Sequence, residues 1–175
     1  MVQPGDVIEN PVTGERITFV RTSEQTGGAL AEMDLELSPS AFLAAEHIHL
    51  RQDESFEVLD GLIRLRCRGE ESVRGAGEKV VVPAGSPHAW APAGEEGARV
   101  RLTFTPGADI EQFFDEFFRL GREGRTDAKG MPSPIVTARL GLAHDIYLAR
   151  PPVPVPLQRA AFRVLVGAGR LLQRP

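Results

Sequence analysis

Over roughly the first hundred residues, apolar and polar positions alternate, which is the period of antiparallel strands buried on one side only. Glu15 to Arg21 sets Ile17, Phe19 and Arg21 against Arg16, Thr18 and Val20. Gly28 to Leu37 sets Ala31, Met33, Leu35 and Leu37 against Leu30, Glu32 and Asp34. A run from Phe56 to Leu59 reaches Gly61; beyond it Ile63, Leu65 and Cys67 face one way, and Arg64, Arg66 and Arg68 the other. Val80 to Val82 stops at Pro83, and Arg99 to Thr105 supplies a further strand. Strands this short and closely spaced, about eight in all, predict a sandwich or barrel. Gly61, between two alternating runs, is expected to turn a hairpin, because glycine tolerates positive φ. Pro83-Ala84-Gly85 reads as a second turn.

Near residue 106 the period lengthens to that of helices. Asp109 can cap a helix whose apolar face is Ile110, Phe113, Phe114, Phe117 and Phe118. Ser133-Pro134 starts another, with Ile135, Ala138, Leu142 and Ile146 along one side. Pro151 to Pro156 is read as a stiff connector. Leu157, Ala160, Ala161, Val164, Leu165, Ala168, Leu171 and Leu172 then mark the apolar face of an amphipathic helix. Helices follow the strands and do not alternate with them, which argues against a βαβ fold. No fixed-period repeat suggests a propeller or solenoid.

Composition narrows the possible functions. The 175 residues suit one domain with an extension. A formal net charge of −4 removes the basic footprint of a general nucleic-acid binder. The single cysteine, Cys67, excludes an internal disulfide and any cysteine-rich metal site; it is expected to be a small buried side chain. No stretch approaches the ~18 apolar residues that span a bilayer, and no secretory leader is visible at Met1 to Asp6, so a cytoplasmic protein is expected.

The chemistry gathers at His47-Ile48-His49, Glu54 and His88. On a strand, residues two apart project to the same side, so His47 and His49 can address one point. Glu54 can reach that point from the following strand, and His88 can close the set. Each piece alone has an ordinary explanation: a surface histidine pair, a solvated acid, a turn histidine. Together they take three of the four histidines. Three imidazoles and one carboxylate suit Fe, Mn, Ni, Zn, Cu or Co, and on a six-coordinate ion leave two positions free, as in a catalytic site. His144, the fourth histidine, is read as a helix-surface residue.

His47-x-His49-x(4)-Glu54-x(6)-Gly61, followed by Gly77-x(5)-Pro83-x-Gly85-x(2)-His88, resembles the two motifs of the cupin superfamily. The resemblance covers about residues 41 to 92. The family usually has Gly where this chain has Ala41, and Asn where it has Pro92; neither position supplies a ligand. The resemblance implies an all-β core, a small antiparallel cupin barrel or jelly roll, over residues 1–106. Residues 107–175 would then be a helical extension packed on that barrel or on a second subunit. It also implies a single transition metal ion on His47, His49, Glu54 and His88.

Cupins include dioxygenases, decarboxylases, isomerases and binding proteins, so the fold does not choose among them. The glutamate-containing ligand set is similar to that of quercetinase-like and acireductone-type dioxygenases, which makes a dioxygenase acting on an enediol, flavonol-like or aromatic substrate the first expectation. A redox-neutral isomerase or decarboxylase, or a cupin that binds a small ligand without turnover, is the alternative. Phe42, Phe56, Trp90 and Phe104 are candidates for an apolar substrate pocket. The expected partners are a small-molecule substrate and a second copy of the chain, with no nucleic acid. After Asp145 the chain carries Arg150, Arg159, Arg163, Arg170 and Arg174 and no acid. A basic amphipathic helix there could lie on an anionic membrane, but packing against protein is the preferred reading.

Overall fold

The computed structural model describes residues 2–43 and 45–172. Strands β1 (Val7–Asn10), β2 (Glu15–Arg21), β3 (Ala31–Leu37), β4 (His47–His49) and β5 (Asp53–Cys67) are followed by β6 (Glu70–Gly75), β7 (Lys79–Val82), β8 (His88–Pro92) and β9 (Ala98–Thr105). The extension contributes α1 (Ile110–Arg122), α2 (Pro134–His144), a strand β10 (Ile146–Leu148) and α3 (Val155–Leu172).

All of the strand pairs are antiparallel. One sheet runs β1-β2-β3-β9 to the first half of β5, with β7 on that strand's other side. The other joins the second half of β5 to β6 and β8, and continues through β4 to β10. This is a jelly roll whose two layers share β5. The hydrogen-bonded ladder does not close on itself, so the barrel expected from sequence keeps open edges, and α1 covers its side. The alternating pattern delivered the core as read: Ile17 and Phe19, Met33 and Leu35, Ile63 and Leu65 are all buried. Each such side chain contributes about 1.5–3 kcal/mol by leaving water.

Gly61 corrects one expectation. It makes no hairpin, because β5 runs through it unbroken, with a bulge between Val58 and Asp60. Its φ of +73° lets the strand turn from one sheet into the other, and a Cβ there would collide with the Gly97 carbonyl. The hairpin falls later, at Arg68-Gly69, where both residues have positive φ (54° and 88°), as a two-residue turn following the strand twist requires. The Pro83 turn is present, with Ser86 N–H donating to Pro83 O at 3.1 Å and Gly85 at φ +77°.

In the extension, α1 lies as its Phe spacing predicts, with Ile110 and Phe118 buried and the Phe114 ring 5.9 Å from that of Phe104. Glu111 fastens it by accepting from Ser23 N–H (2.5 Å) and Ser23 Oγ (2.7 Å). Asp109 stands at the N-cap position but does not cap: its carboxylate faces His144 Nδ1 at 2.9 Å. His144 is therefore a packed residue, against Phe113, and not a surface one. Helix α2 stops at Asp145, which is left-handed, so Ile146 belongs to β10 and not to the α2 face. Pro156 lies inside the first turn of α3, so the extended connector is shorter than expected.

The face of α3 that packs is also not the expected one. Leu157 and Val164 are 61% and 73% exposed. Instead Gln158 is buried and donates to Leu148 O (2.7 Å) and Val153 O (2.8 Å), and Phe162 stacks on Tyr147 with centroids 5.9 Å apart. Gln158 thus ties α3 both to Leu148 at the end of β10 and to Val153 just before the helix. Among its arginines, Arg150 pairs with Glu46 at 2.5 Å and Arg159 with Asp145 at 3.9 Å. Arg174 lies outside the described residues, as do the side chains of Arg170, Leu171 and Leu172. No helix among the described residues is long and apolar enough to cross a membrane.

Candidate metal centre

Strand β4 is only three residues long, and both of its neighbours come from far along the chain. On one side His47 pairs with His88 of β8. On the other, Leu148 and Ile146 of β10 pair with His47 and His49. The Pro83 turn docks through Gly85 N–H donating to His49 O at 2.7 Å, and Ala84 N–H donates to Asp53 Oδ1 at 2.8 Å. Glu54 enters from β5, in register with Phe104.

These elements bring His47, His49, Glu54 and His88 together, with one donor atom from each lying within 4.8 Å of all the others. His47 Nε2 is 3.0 Å from His49 Nε2, His88 Nε2 is 2.8 Å from Glu54 Oε2, and His49 Nε2 is 3.4 Å from Glu54 Oε2. Two donors about 2.1 Å from one ion, at right angles, stand ~3.0 Å apart. The cluster therefore has the spacing of a coordination shell. Two rings are already oriented for it: His47 Nδ1 donates to Ala45 O at 3.1 Å and His88 Nδ1 to Ser86 O at 3.0 Å, which leaves each Nε2 aimed into the cluster. His49 Nδ1 is buried without a hydrogen-bond partner among the described residues. The donor set and its spacing fit a divalent transition ion.

Electrostatics favour the neutral form of His47 and His49 but not of His88. Burial, and then the neighbouring His88 and His49, hold His47 well below the usual histidine range. Burial takes His49 down to about 4, against the pull of Glu54. His88 is also pulled down by burial, but the hydrogen bond and charge of Glu54 outweigh this and raise it. With Nδ1 committed to Ser86 O, the ring can bond Glu54 through Nε2 only as a cation, which is the physical source of that rise.

His47, His49 and Glu54 form part of the wall of a cavity of about 100 Å³. Phe113, Phe114, Phe117 and Phe118 of α1 line it, with Leu140 and Gly141 of α2, Tyr147 of β10 and Phe162 of α3. Of the four pocket candidates from sequence, Trp90 lines it. Phe56 and Phe104 are fully buried behind the histidines, with ring centroids 6.3 Å from His88 and 5.5 Å from His49. Phe42 is half-buried and outside the lining. Sequence reasoning missed Tyr147, Phe162 and Leu140, whose approach depends on β10 pairing with β4. It also missed Glu15, whose signal was legible: an acid in phase with inward-facing Ile17 and Phe19.

Known proteins agree with this architecture. Residues 33–105 match the family model described as a cupin domain, which supports membership of the cupin superfamily. KdgF from a Halomonas species is 20% identical with a TM-score of 0.51, covering 59% of this chain and 89% of its own. An RmlC-like cupin from Shewanella frigidimarina is 19% identical at 0.50, covering 59% and 86%. The oxalate decarboxylase of Lactobacillus farciminis is 16% identical at 0.50, covering 58% of this chain and 31% of that one. Similarity at this level speaks for the fold alone. No curated protein matches the sequence.

Proposed function

We propose that this cupin is a mononuclear metal enzyme of the dioxygenase type, acting on a small, mainly apolar molecule such as an enediol, a flavonol-like compound or another aromatic. The observation that carries this reading is that the His47, His49, Glu54 and His88 donors converge, and that three of these residues, His47, His49 and Glu54, stand in the wall of a phenylalanine-lined cavity. A divalent transition ion held by these four ligands would supply Lewis acidity and two open coordination positions.

The protein's own contribution is binding and exclusion of water. Phe113 and Phe117 stack nearly parallel (10° between planes, centroids 5.6 Å), and present flat faces to which an aromatic ring can pack. Tyr147 and Phe162, stacked on each other, line the cavity as well and help strip water from whatever is bound. Ala45 O and Ser86 O keep the rings of His47 and His88 aligned, so binding requires little reorganisation.

The test is oxygen uptake by protein loaded separately with Fe, Mn, Ni, Cu, Co or Zn and offered enediol, flavonol and catechol compounds. Uptake that is lost in His47→Ala/His49→Ala supports the reading. Substrate conversion without oxygen uptake would replace it with an isomerase or decarboxylase; binding without conversion would replace it with a ligand-binding protein.

A further inference from the structure

We infer that Glu15 is a specificity-determining residue of the same cavity, reading a hydroxyl on the end of the ligand remote from the metal cluster. The inference deepens the proposed function, since it takes this cavity to be where the ligand binds. Glu15 opens β2 on the inward face, is 5% exposed and lines the cavity. Outside the metal cluster it is the one ionisable carboxyl among the described residues of a mainly apolar lining.

Register places it well away from the cluster. Glu15 pairs with Leu37, and Leu37 with Ala98 of β9, whereas Glu54 pairs with Phe104 of the same strand. Helix α1 covers the same interval, with Phe114 against Phe104 and Gly121 against Asn10, the partner of Glu15 on β1; those seven helical residues rise about 10 Å. A ligand reaching from one end to the other is elongated and mainly apolar, with polar groups at its two ends.

The Glu15 carboxyl at the distal end is under-bonded. One Glu15 oxygen accepts from the Thr13 hydroxyl; the other has no hydrogen bond among the described residues. Asn10, opposite Glu15, is 1% exposed, and its Nδ2 has no partner among the described residues, but it borders the outer groove and not this cavity. Other polar lining groups are engaged elsewhere: Thr137 Oγ1 donates to Pro132 O at 3.1 Å, and Tyr147 Oη points to Asp145 at 3.5 Å. On its outer side Glu15 borders a surface groove formed with Pro11, Gly14 and Ser38. The second Glu15 oxygen has no protein donor among the described residues, and in so apolar a lining a carboxyl gains from any group that donates to it. A ligand hydroxyl meets that need, and an apolar isostere leaves it unmet, which is the stronger form of discrimination.

Trp90, the single tryptophan, lines the same cavity and reports its occupancy. The probes are matched pairs of ω-phenylalkanols and n-alkylbenzenes of graded length, titrated into metal-free and metal-loaded protein with Trp90 fluorescence as readout. In the native chain one phenylalkanol length should bind at least about tenfold more tightly than its alkylbenzene partner. Glu15→Leu should abolish that preference while keeping or tightening alkylbenzene binding, and Glu15→Gln should retain part of it. An unchanged preference in Glu15→Leu, or no preference in the native protein, including no binding of either series, overturns the inference. The preference should hold with or without metal, so failure of the metal reading and failure of this one give separate results.

Discussion

His47 and His88 face each other in register across the β4–β8 pair, with ring centroids 4.4 Å apart, and each ring donates its Nδ1 proton to the carbonyl two residues earlier. The same local device on two distant strands sends two Nε2 atoms to one point. Both partners are backbone groups, so the alignment depends on strand geometry and is independent of any other side chain's rotamer.

A first consequence concerns metal content. Purified protein should retain about one transition ion per chain, measured by elemental mass spectrometry, and His47→Ala/His49→Ala should retain none. Metal present at a hundred times its Kd stabilises the fold by about 2.7 kcal/mol. A chelator should therefore lower the Tm of the native chain and leave that of the double variant unchanged.

Glu15 should leave a mark on the pH dependence of stability. Burial raises its carboxyl from 4.5 to about 7, opposed by the hydrogen bond from Thr13. The folded protein thus holds this proton more tightly than the unfolded chain does. The associated stability is complete below about 4.5 and is lost as pH rises through about 7, a difference of roughly 3 kcal/mol. Urea unfolding of metal-free native and Glu15→Gln proteins at pH 5 and pH 8 checks it. The native chain should lose stability relative to the variant on going to pH 8. The lowered histidines His47 and His49 act in the opposite sense, and cancel in that difference.

Gly61→Ala should cost about 2–4 kcal/mol in equilibrium unfolding. The position needs a φ of +73°, and the added Cβ has the Gly97 carbonyl in its way. Gly69→Ala, also at positive φ (88°) but with open space around it, should cost less, about 1–2 kcal/mol.

Gly141→Ala tests how the extension closes the cavity. A Cβ there would stand 2.8 Å from the Phe162 ring and 2.9 Å from Ile146 O, so α3 must shift away from α2. Overpacking of this kind costs about 1–3 kcal/mol. Unfolding curves should show that loss, and Trp90 fluorescence should shift as water enters, with metal content unchanged.

Much of this molecule was legible from one sequence because the information was local. Strand alternation follows from which side chains avoid water; in β3 it marked Ala31, Met33, Leu35 and Leu37 as buried without error. The His47, His49, Glu54 and His88 set could be read because strand geometry and motif spacing bring the same residues to one point. The Phe face of α1 was equally plain. The turn was misplaced at Gly61 because positive φ serves a sheet-crossing bend as well as a hairpin, and only long-range pairing distinguishes the two.

What the tertiary structure decided was everything set by contacts between distant segments. Strand β10 meets β4 across about a hundred residues of chain, and with it Tyr147, Leu140 and Phe162 become cavity wall. The orientation of α3 goes with the hydrogen bonds of Gln158 to Leu148 and Val153 and the stacking of Phe162 on Tyr147, against the helix's own apolar stripe, which leaves Leu157 and Val164 exposed. Local pattern determines which residues leave water; where they then stand relative to one another depends on hydrogen bonds and ring contacts that no periodicity records.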